Sequence, residues 1–419
     1  NNKILSMLKE NVDVLVIGAG PSGCVAASYL HNNRVKVKVV ERSKFPRFVI
    51  GESLIPRVMD HFDEAGLLDA LIAMDFEKKF GARFIRGEEL CVFDFSEKFG
   101  EGWDWTWQVP RADFDNTLAQ EVIRKGIDLE FETEVLDVVF HGTDSVTTVR
   151  NKDGETREIE ARFIIDSSGY GRVLPRILKL DAPSSIPDNS SMFTHVKDIK
   201  RPEGVEGTQI TFDILETKVW LWVIPFSNGN TSIGVVGPTS YINSIGGANN
   251  TESLKKIIQQ SDFYRDRFEG VDFLFDPHKI ENYSCSVTQL YGPGFTLTGN
   301  SSEFLDPVFS SGVCFATESG MLSAKLFLKE LKGEKVDWET EYSDYMRRGV
   351  NVFATYVKEW YTGNLQTLFF HRPENPDVKE KICSVLAGYV WNEENPFVKK
   401  HDRVIRTMAH MLQNEQSAQ

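Results

Sequence analysis

Apolar positions recur with two different periods along this chain, and the first clear pattern lies near its start. Residues 12–17 form a short apolar run that is typical of a buried parallel strand, and a helical pattern extends from the following glycines to residue 30. A second β-branched run, residues 35–40, ends on Glu41. The order strand, turn, helix and strand predicts a βαβ unit.

The rest of the chain continues as a mixture of strands and helices. Alternating apolar residues predict strands, and apolar residues three and four apart predict helices. From residue 338 onward the pattern is mostly helical. We predict strands at residues 78–95, 103–109, 127–137, 146–149, 158–165 and 295–299, several more strands within residues 194–236, and helices at residues 58–74, 111–125, 252–263 and 313–331.

These elements predict an α/β fold of mixed α+β character in three parts. A Rossmann-like dinucleotide-binding domain is expected to be discontinuous, because strands of a second sheet interrupt it. The parts are the dinucleotide-binding domain at residues 10–75, 111–175 and 285–335, a β-sheet substrate domain at residues 76–110 and 176–284, and a helical C-terminal region at residues 336–419.

Composition narrows the class of protein. The chain has 419 residues, of which 41% are hydrophobic and 26% charged, as in ordinary globular proteins, and its formal net charge is −14. This charge argues against nucleic acid or an anionic membrane as a partner. The five cysteines and eight histidines lack metal-ligand spacing, and neither a signal peptide nor a run of membrane-spanning length is evident. We therefore expect a cytoplasmic protein without a metal ion.

The glycines between the first strand and the first helix carry the first chemical signal. Gly18 permits the tight turn, Gly20 lets the backbone approach a pyrophosphate, and Gly23 lets the helix pack on the strand. The helix N-terminus favours phosphate charge, and Glu41 lies where an acid accepts hydrogen bonds from ribose hydroxyls. The pattern predicts an adenine dinucleotide and leaves NAD and FAD open.

Three later motifs follow this unit. They are an RxxFDxxL pattern beginning at Arg111, a DSSG sequence at residues 166–169, and a GN…DP pattern within residues 299–307. With the glycine motif, they resemble the FAD-binding set of the p-hydroxybenzoate hydroxylase class. The resemblance implies FAD, with Arg111 near its phosphates and residues 299–307 beside its ribityl chain and isoalloxazine. The residues implied in FAD binding by these motifs are Gly18, Gly20, Pro21, Ser22, Gly23, Glu41, Arg42, Arg111, Asp166, Gly169, Gly299, Asn300, Asp306, Pro307 and Gly312.

Three further segments resemble the flavin-dependent halogenases within that class. Residues 51–56 (GESLIP) resemble the loop that edges the isoalloxazine, residues 219–225 contain the WxWxIP signature, and residues 306–313 (DPVFSSGV) resemble halogenases of phenols, pyrroles and polyketide-type aromatics. Without the resemblance, the two tryptophans on one strand face could simply fill a core, and residues 306–312 could be an ordinary strand-to-helix turn. The N–H groups at the start of the following helix nevertheless predict an anion pocket, for the negative charge of reduced flavin or for chloride. The resemblance implies that Gly51, Glu52 and Ser53 bind the cofactor, that Trp220, Trp222 and Pro225 lie near the flavin, and that the backbone of Ser311 and Gly312 binds halide.

A lysine would deliver the halogen in this family. Residues 79–84 match its K-x-G-x-x-F pattern, which implies that Lys79 is catalytic, with Lys78 as the register alternative. A buried lysine with a lowered pKa suits either a hydrogen bond to hypohalous acid or a haloamine. Without the resemblance, a pair of lysines in an amphipathic segment is typical of a solvated surface.

The resemblance implies a halogenase that uses reduced FAD (FADH2), O2 and chloride or bromide on an electron-rich aromatic substrate. The substrate is either free or tethered to a carrier protein, and a separate flavin reductase supplies the reduced FAD. No substrate base is identified, and Asn300 departs from the family's usual aspartate. The alternatives are a flavin monooxygenase, a reductase resembling the geranylgeranyl reductases, and an FAD-binding protein without catalysis.

Overall fold

The computed structural model describes residues 9–371 and 376–418. Within these residues, no helix combines the length and the apolar character that crossing a membrane requires. The strands in chain order are β1 (Lys9–Ile17), β2 (Val37–Val40), β3 (Glu77–Lys79), β4 (Gly81–Arg86), β5 (Glu89–Asp94), β6 (Thr106–Gln108), β7 (Asp128–Glu130), β8 (Glu134–His141), β9 (Asp144–Arg150), β10 (Thr156–Asp166), β11 (Asp181–Ala182), β12 (Asn189–Lys197), β13 (Thr211–Glu216), β14 (Val219–Pro225), β15 (Asn230–Pro238), β16 (His278–Glu281), β17 (Ser286–Val287), β18 (Tyr291–Gly292) and β19 (Phe295–Leu297).

Helices follow or connect these strands and dominate the last part of the chain. In chain order they are α1 (Pro21–Asn32), α2 (Arg57–Glu64), α3 (Leu68–Ile72), α4 (Arg111–Arg124), α5 (Val173–Leu178), α6 (Val205–Thr208), α7 (Thr239–Ser244), α8 (Asn250–Ile258), α9 (Arg265–Phe268), α10 (Gly312–Leu331), α11 (Tyr345–Tyr361), α12 (Asn364–Phe370), α13 (Pro376–Leu386), α14 (Pro396–Lys399) and α15 (His401–Ser417).

An eight-stranded sheet contains the predicted βαβ unit. Its main path is β18-β19-β10-β1-β2-β7, with β9 joined to β10 and β8 to β9. The pairs among β7, β2, β1, β10 and β19 are parallel, and the register aligns Ile17 with both Val40 and Asp166, and Asp166 with Leu297. The carboxyl ends of these strands therefore meet at one edge, where α/β sheets bind their ligands.

A seven-stranded sheet, ordered β16-β12-β15-β14-β13-β4-β5, forms the second layer. Its central strand β14 is fully buried, and its side chains alternate between two cores. Trp220 and Trp222 pack into the large core shared with the first sheet, whereas Val219, Leu221 and Val223 pack into a smaller core. The period-two pattern of this strand therefore aims both tryptophans toward the first sheet.

The C-terminal helices pack on the large core through aromatic contacts. The ring of Phe84 on β4 lies 5.5 Å from that of Trp360 on α11 and 4.9 Å from that of Phe369 on α12. Phe315 on α10 contacts Phe353 on α11 at 5.5 Å. These T-shaped and tilted ring pairs join the helical region to both other parts of the protein.

A buried ionic cluster centred on Glu318 ties α2, α10 and α11 together. Its carboxylate pairs with Arg57 at 2.9 Å and with His61 at 2.7 Å, and it accepts a hydrogen bond from Tyr345 at 2.7 Å. Burial opposes ionisation of Glu318, but His61 and Arg57 outweigh it and hold the pKa of this carboxyl well below its usual range.

The fold class predicted from the sequence is confirmed: the chain is a mixed α/β protein with a parallel sheet around the first βαβ unit. The single helix predicted for residues 58–74 is wrong in one detail, because Gly66, with φ +72°, separates α2 from α3. The strands of the eight-stranded sheet come from the segments predicted for the dinucleotide-binding domain, and those of the seven-stranded sheet from the segments predicted for the substrate domain. The short pair β11–β17 joins one segment of each. The domain boundaries stay a prediction.

Candidate functional site

A cleft of about 330 Å3 lies at the carboxyl ends of the parallel strands, between the two large sheets. Its volume is within the range of small-molecule sites. Predicted site residues that line it are Gly20, Pro21, Ser22, Glu41, Arg42, Gly51, Glu52, Ser53, Arg111, Gly169, Trp220, Trp222, Gly299, Asn300, Pro307, Ser311 and Gly312. Gly18, Gly23, Lys79, Asp166, Pro225 and Asp306 lie outside that lining.

The glycine loop has the close contacts that its motif predicts. Gly18 has a φ of +102°, and a Cβ atom on Gly23 would lie 1.9 Å from the Gly18 carbonyl oxygen. At Gly20 a Cβ atom would meet only the Arg47 guanidinium, at 3.8 Å. Gly18 and Gly23 therefore serve the turn and the packing of α1, whereas Gly20 leaves the backbone open to a ligand.

Glu41 supports the loops around the cleft as well as lining it. Its carboxylate accepts hydrogen bonds from the backbone N–H of Ala19 at 2.9 Å and of Ser43 at 2.8 Å. The side chain thus fixes the glycine loop relative to the end of β2. Both oxygens can still accept a second donor, because each carboxylate oxygen has two lone-pair directions.

Hydroxyl groups cross-link three chain segments behind the glycine loop. Ser22 shares hydrogen bonds with Ser167 at 3.1 Å and with Thr298 at 2.7 Å, and Ser167 and Thr298 are 2.8 Å apart. Asp166, which is fully buried, accepts hydrogen bonds from the backbone of Ser168 and Leu174. Asp166 therefore shapes the loop that lines the cleft rather than the cleft surface itself.

Arg111 acts through a buried ion pair at the other wall of the cleft. Asp115 accepts hydrogen bonds from Arg111 at 2.7 Å and from Arg47 at 2.6 Å, while Arg111 also donates to the carbonyls of Ile50 and Gly51. Burial opposes ionisation of Asp115, but the two guanidinium groups outweigh it and lower the pKa of this carboxyl. The pair anchors the segment that carries Gly51 and presents positive charge to the cleft.

The N-terminus of α10 faces the cleft through Ser311 and Gly312. The preceding Ser310 is left-handed, with a φ of +57°, and turns the chain into this 20-residue helix. Among the described residues, no acceptor is found for the backbone N–H groups of Ser311 and Gly312. Such N–H groups at the positive end of a helix dipole form an anion site.

Asp306, at the start of this segment, is buried in a cluster of hydroxyl groups. It accepts hydrogen bonds from Tyr283 at 3.0 Å, from Tyr361 at 2.9 Å and from Asn189 at 3.3 Å. Burial raises the pKa of Asp306 to about 6, and these donors counteract the rise. Tyr361 also accepts a hydrogen bond from Trp220, so that Asp306 links the C-terminal helices to β14.

The two signature tryptophans form part of the cleft wall on the side of the second sheet. Trp222 donates a hydrogen bond to Ser232 at 3.0 Å, and the absence of a side chain at Gly234 makes room for its ring. A Cβ atom on Gly234 would lie 2.3 Å from Trp222. Pro225, outside the lining, accepts a hydrogen bond from Gln108 and fixes the end of β14.

Lys79 is buried beside the cleft, and Ser53 separates the two. Its amine donates hydrogen bonds to the Ser53 hydroxyl at 2.9 Å and to the Leu54 carbonyl at 2.7 Å. Burial lowers the pKa of Lys79 to about 7. The neighbouring Lys78 is exposed, and its amine lies 5.1 Å from the Trp105 ring. Of the two candidate lysines, Lys79 is therefore the one whose amine is buried and has a lowered pKa, as a reactive amine requires.

Strand pairing explains how Ser53 and Lys79 meet. Ser53 forms an isolated bridge with Gln108 on β6, and β6 pairs with β3, where Lys79 lies opposite Thr106. The loop that carries Gly51, Glu52 and Ser53 (the GES loop) and strand β3, which carries Lys79, therefore both align on β6. Sequence spacing cannot reveal this arrangement, because the three segments meet only through the sheet.

One residue that contacts the site escaped the sequence motifs. The Nε2 atom of His195 on β12 forms a very short hydrogen bond with Oε1 of Glu52. The two residues are 143 positions apart, and no pattern in the sequence relates them. His195 lies among Phe48, Phe226 and Phe275, at ring distances between 5.1 and 5.6 Å.

Comparison with known families identifies the cofactor class. Residues 11–262, more than half of the chain, match the FAD binding domain family. The chain belongs to this family. The Rossmann-like unit, the glycine loop and the cleft are thus parts of an FAD-binding protein.

Individual relatives cover nearly the whole chain. A crystal structure of a flavoprotein/dehydrogenase from Cytophaga hutchinsonii is 54% identical, with a TM-score of 0.95 over 97% of this chain and 100% of that one. A 1H-pyrrole-2-carbonyl-(peptidyl-carrier protein) brominase from Pseudoalteromonas luteoviolacea is 27% identical over 90% of this chain and 92% of its own length. The chlorinase of the same carrier-bound group from Pseudomonas fluorescens is 27% identical over 92% and 91%. The predicted resemblance to halogenases and the prediction of an FAD-dependent enzyme are confirmed.

The residues of the cleft fit FAD. Gly20 and the N-terminus of α1 offer an open backbone surface to phosphate, and Glu41 offers carboxylate oxygens. In another part of the same cleft, the N-terminus of α10 offers N–H donors, and Trp222 forms an apolar wall. The buried Oε2 atom of Glu52 has no hydrogen-bond partner among the described residues, and a bound ligand could supply the missing donor.

Proposed function

We propose that this protein is a flavin-dependent halogenase of an electron-rich aromatic ring. The observation that carries the proposal is Lys79, a buried amine with a pKa lowered to about 7, held by Ser53 at the edge of the FAD cleft. A lysine that merely stabilised the fold would be expected to pair with a carboxylate. Among the described residues, the contacts of the Lys79 amine are with the Ser53 hydroxyl and the Leu54 carbonyl, and no carboxylate acts on its pKa.

Reduced FAD together with O2 would supply the two-electron oxidation of halide. The N-terminus of α10 would hold the halide through the backbone N–H groups of Ser311 and Gly312, where helix dipole and unpaired donors favour an anion. The buried wall of Trp220 and Trp222 would keep water from the oxidised halogen. These residues act by binding and exclusion.

Lys79 would deliver the halogen to the substrate. Because its pKa is about 7, both the neutral amine and the ammonium are populated near neutral pH. The neutral amine is the nucleophile that forms a haloamine, and the ammonium is the donor that hydrogen-bonds hypohalous acid. Ser53 and the Leu54 carbonyl fix the direction of the amine for either role.

We further propose a pyrrole or phenol as substrate, with a carrier-bound pyrrole as the first choice. This choice rests on the two carrier-dependent relatives, whose names specify a 1H-pyrrole-2-carbonyl group. A separate flavin reductase would supply the reduced FAD. Rings of this kind are already activated, so that a strong substrate base is not required.

The direct test is a bromination assay. The protein is incubated with FAD, a flavin reductase, NADH and bromide, and pyrroles and phenols, free and carrier-bound, are screened by mass spectrometry for the bromine isotope pattern. Lys79→Ala should abolish product, and the matched control Lys78→Ala should retain it. Halide-dependent product that survives Lys79→Ala unchanged would remove this lysine from the mechanism, and no product from any substrate would contradict halogenation.

A second function, an FAD-dependent dehydrogenase or reductase, is favoured by one observation. The Cytophaga hutchinsonii protein, at 54% identity, is described as a flavoprotein/dehydrogenase. Rapid bleaching of bound FAD by NADH or NADPH under anaerobic conditions, without a second protein, would support this function. A halogenase that depends on a separate reductase should leave the FAD oxidised in that experiment.

A further inference from the structure

The GES loop holds a carboxylate whose hydrogen bonding is only half complete. The Glu52 side chain has no exposed surface, and its Oε1 atom is taken by His195. Its Oε2 atom has no partner among residues 9–371 and 376–418, and it is the one carboxylate oxygen among the buried side-chain atoms in that condition. Because a buried charged oxygen without a donor is costly, Oε2 is a position for a ligand group.

The Glu52 side chain lies in the wall of the cleft, just beneath its surface. Glu52 lines the cleft between Gly51 and Ser53, and its backbone carbonyl is fixed by the N–H of Val109 at 2.7 Å. His195 occupies the other carboxylate oxygen from β12, with 13% of its own side chain exposed. The pair therefore consists of a carboxylate in the cleft wall and an imidazole outside the lining of the cleft.

The chemistry of flavins identifies the donor that would complete this pair. The oxidised isoalloxazine ring carries one N–H group, and two-electron reduction to FADH2 adds two more, each at a ring nitrogen that was previously an acceptor. Protein hydrogen bonds and charges near the ring nitrogens tune flavin electronics. A carboxylate oxygen beside such a nitrogen gains a hydrogen bond on reduction, whereas it faces a lone pair in the oxidised state.

We propose that Glu52 and His195 form a carboxylate–imidazole dyad that favours the reduced form of bound FAD. His195 donates to Oε1 and offsets the repulsion between the carboxylate and a reduced ring, and Oε2 accepts an N–H that reduction creates. His195 is a positioning residue that acts through Glu52. The inference rests on the FAD site of the proposed function but not on halogenation.

Binding measurements on the full chain test the dyad without a turnover assay. Dissociation constants for oxidised FAD and, anaerobically, for dithionite-reduced FAD are measured by fluorescence titration, and midpoint potentials are measured with reference dyes. In Glu52→Gln the amide oxygen replaces Oε1 toward His195, and the NH2 group, a donor, takes the place of Oε2. We expect reduced FAD to bind at least tenfold more weakly relative to oxidised FAD, because charged hydrogen bonds have about this strength. Tenfold corresponds to about 30 mV lower potential for a two-electron couple.

Variants at His195 separate a positioning role from simple packing. His195→Phe keeps the aromatic contacts but removes the donor, and it should reproduce the loss of preference for reduced FAD. His195→Gln places an amide N–H near the former Nε2 atom and should restore most of it. His278→Gln is the matched control, because His278 belongs to the same aromatic cluster, with its ring 5.8 Å from that of Phe193 and no described bond to Glu52.

The outcomes are distinct. A selective loss of reduced-FAD affinity in Glu52→Gln and His195→Phe, with recovery in His195→Gln, supports the dyad. Equal losses of affinity for oxidised and reduced FAD would overturn the preference for the reduced form, because Oε2 would then accept a hydrogen bond from a donor that is present in both states. Unchanged constants would overturn the contact itself. Each result stands whether or not the protein brominates a substrate, and circular dichroism confirms that each variant is folded.

Discussion

Replacing Lys79 with methionine removes a buried titratable amine while nearly keeping the size of the side chain. Folding lowers the pKa of this amine from its ordinary 10.5 to about 7, because burial disfavours the charged form. Between those pH values the unfolded chain binds more protons than the folded protein. The free energy of unfolding of the unmodified protein should therefore rise with pH relative to that of Lys79→Met.

The magnitude follows from the two pKa values. Below pH 7 both states are protonated and the difference between the proteins is constant, and above 10.5 both are neutral. Between these limits the difference changes by at most about 1.4 kcal/mol per pH unit. Integrated from pH 6.5 to pH 9.5, the unmodified protein should gain about 3 kcal/mol relative to Lys79→Met. All other titrating groups are common to both proteins and cancel.

Urea unfolding followed by tryptophan fluorescence measures this difference at several pH values and a fixed excess of FAD. Lys78→Met is the matched control, because Lys78 is exposed and its replacement should change the free energy by no more than about 0.5 kcal/mol. If the difference in free energy of unfolding between the unmodified protein and Lys79→Met stays constant from pH 6.5 to pH 9.5, the amine is not a buried group with a lowered pKa. The role of Lys79 in the proposed halogenation would then lose its physical basis.

Three other substitutions test the site and its support. Gly23→Ala should abolish FAD binding in a fluorescence titration, because its Cβ atom would lie 1.9 Å from a backbone oxygen; normal binding would contradict the tight loop. Gly234→Ala should displace Trp222, weaken FAD binding and cost about 1–3 kcal/mol in urea unfolding, and an unchanged affinity would show that the ring is not part of the wall. Glu318→Gln should cost about 3 kcal/mol, because it removes the buried carboxylate that pairs with Arg57 and His61. The contribution of Glu318 should fade as pH falls, since its pKa is lowered on folding, and a cost independent of pH down to the onset of acid unfolding would oppose this reasoning.

The sequence was most informative where chemistry depends on neighbours in the chain. The strand, glycines, helix and Glu41 lie within one βαβ unit, so their spacing alone predicts the loop that the structure contains. Period two in residues 219–225 placed Trp220 and Trp222 on one face, and both line the cleft. In each case local geometry decides the side-chain direction.

The sequence was less informative about where helices end and about which groups a buried side chain contacts. The helix predicted for residues 58–74 breaks at Gly66, whose positive φ a hydrophobic pattern does not register. Asp166 was expected in the strand-end loop beside the cofactor, and it lies in that loop with its carboxylate turned into the loop's own backbone. A motif assigns a residue to a loop and does not say which side of the loop the side chain takes.

What the sequence determined by itself is the class of protein and the location of its cofactor motifs, because these follow from periodicity and from residues close in the chain. Only the tertiary structure decided the state of the reactive groups. The low pKa of Lys79 arises from burial between β3 and the GES loop, and the half-satisfied carboxylate of Glu52 arises from a histidine 143 residues away. Desolvation and long-range hydrogen bonds depend on which strands pair, and pairing is a property of the folded chain as a whole.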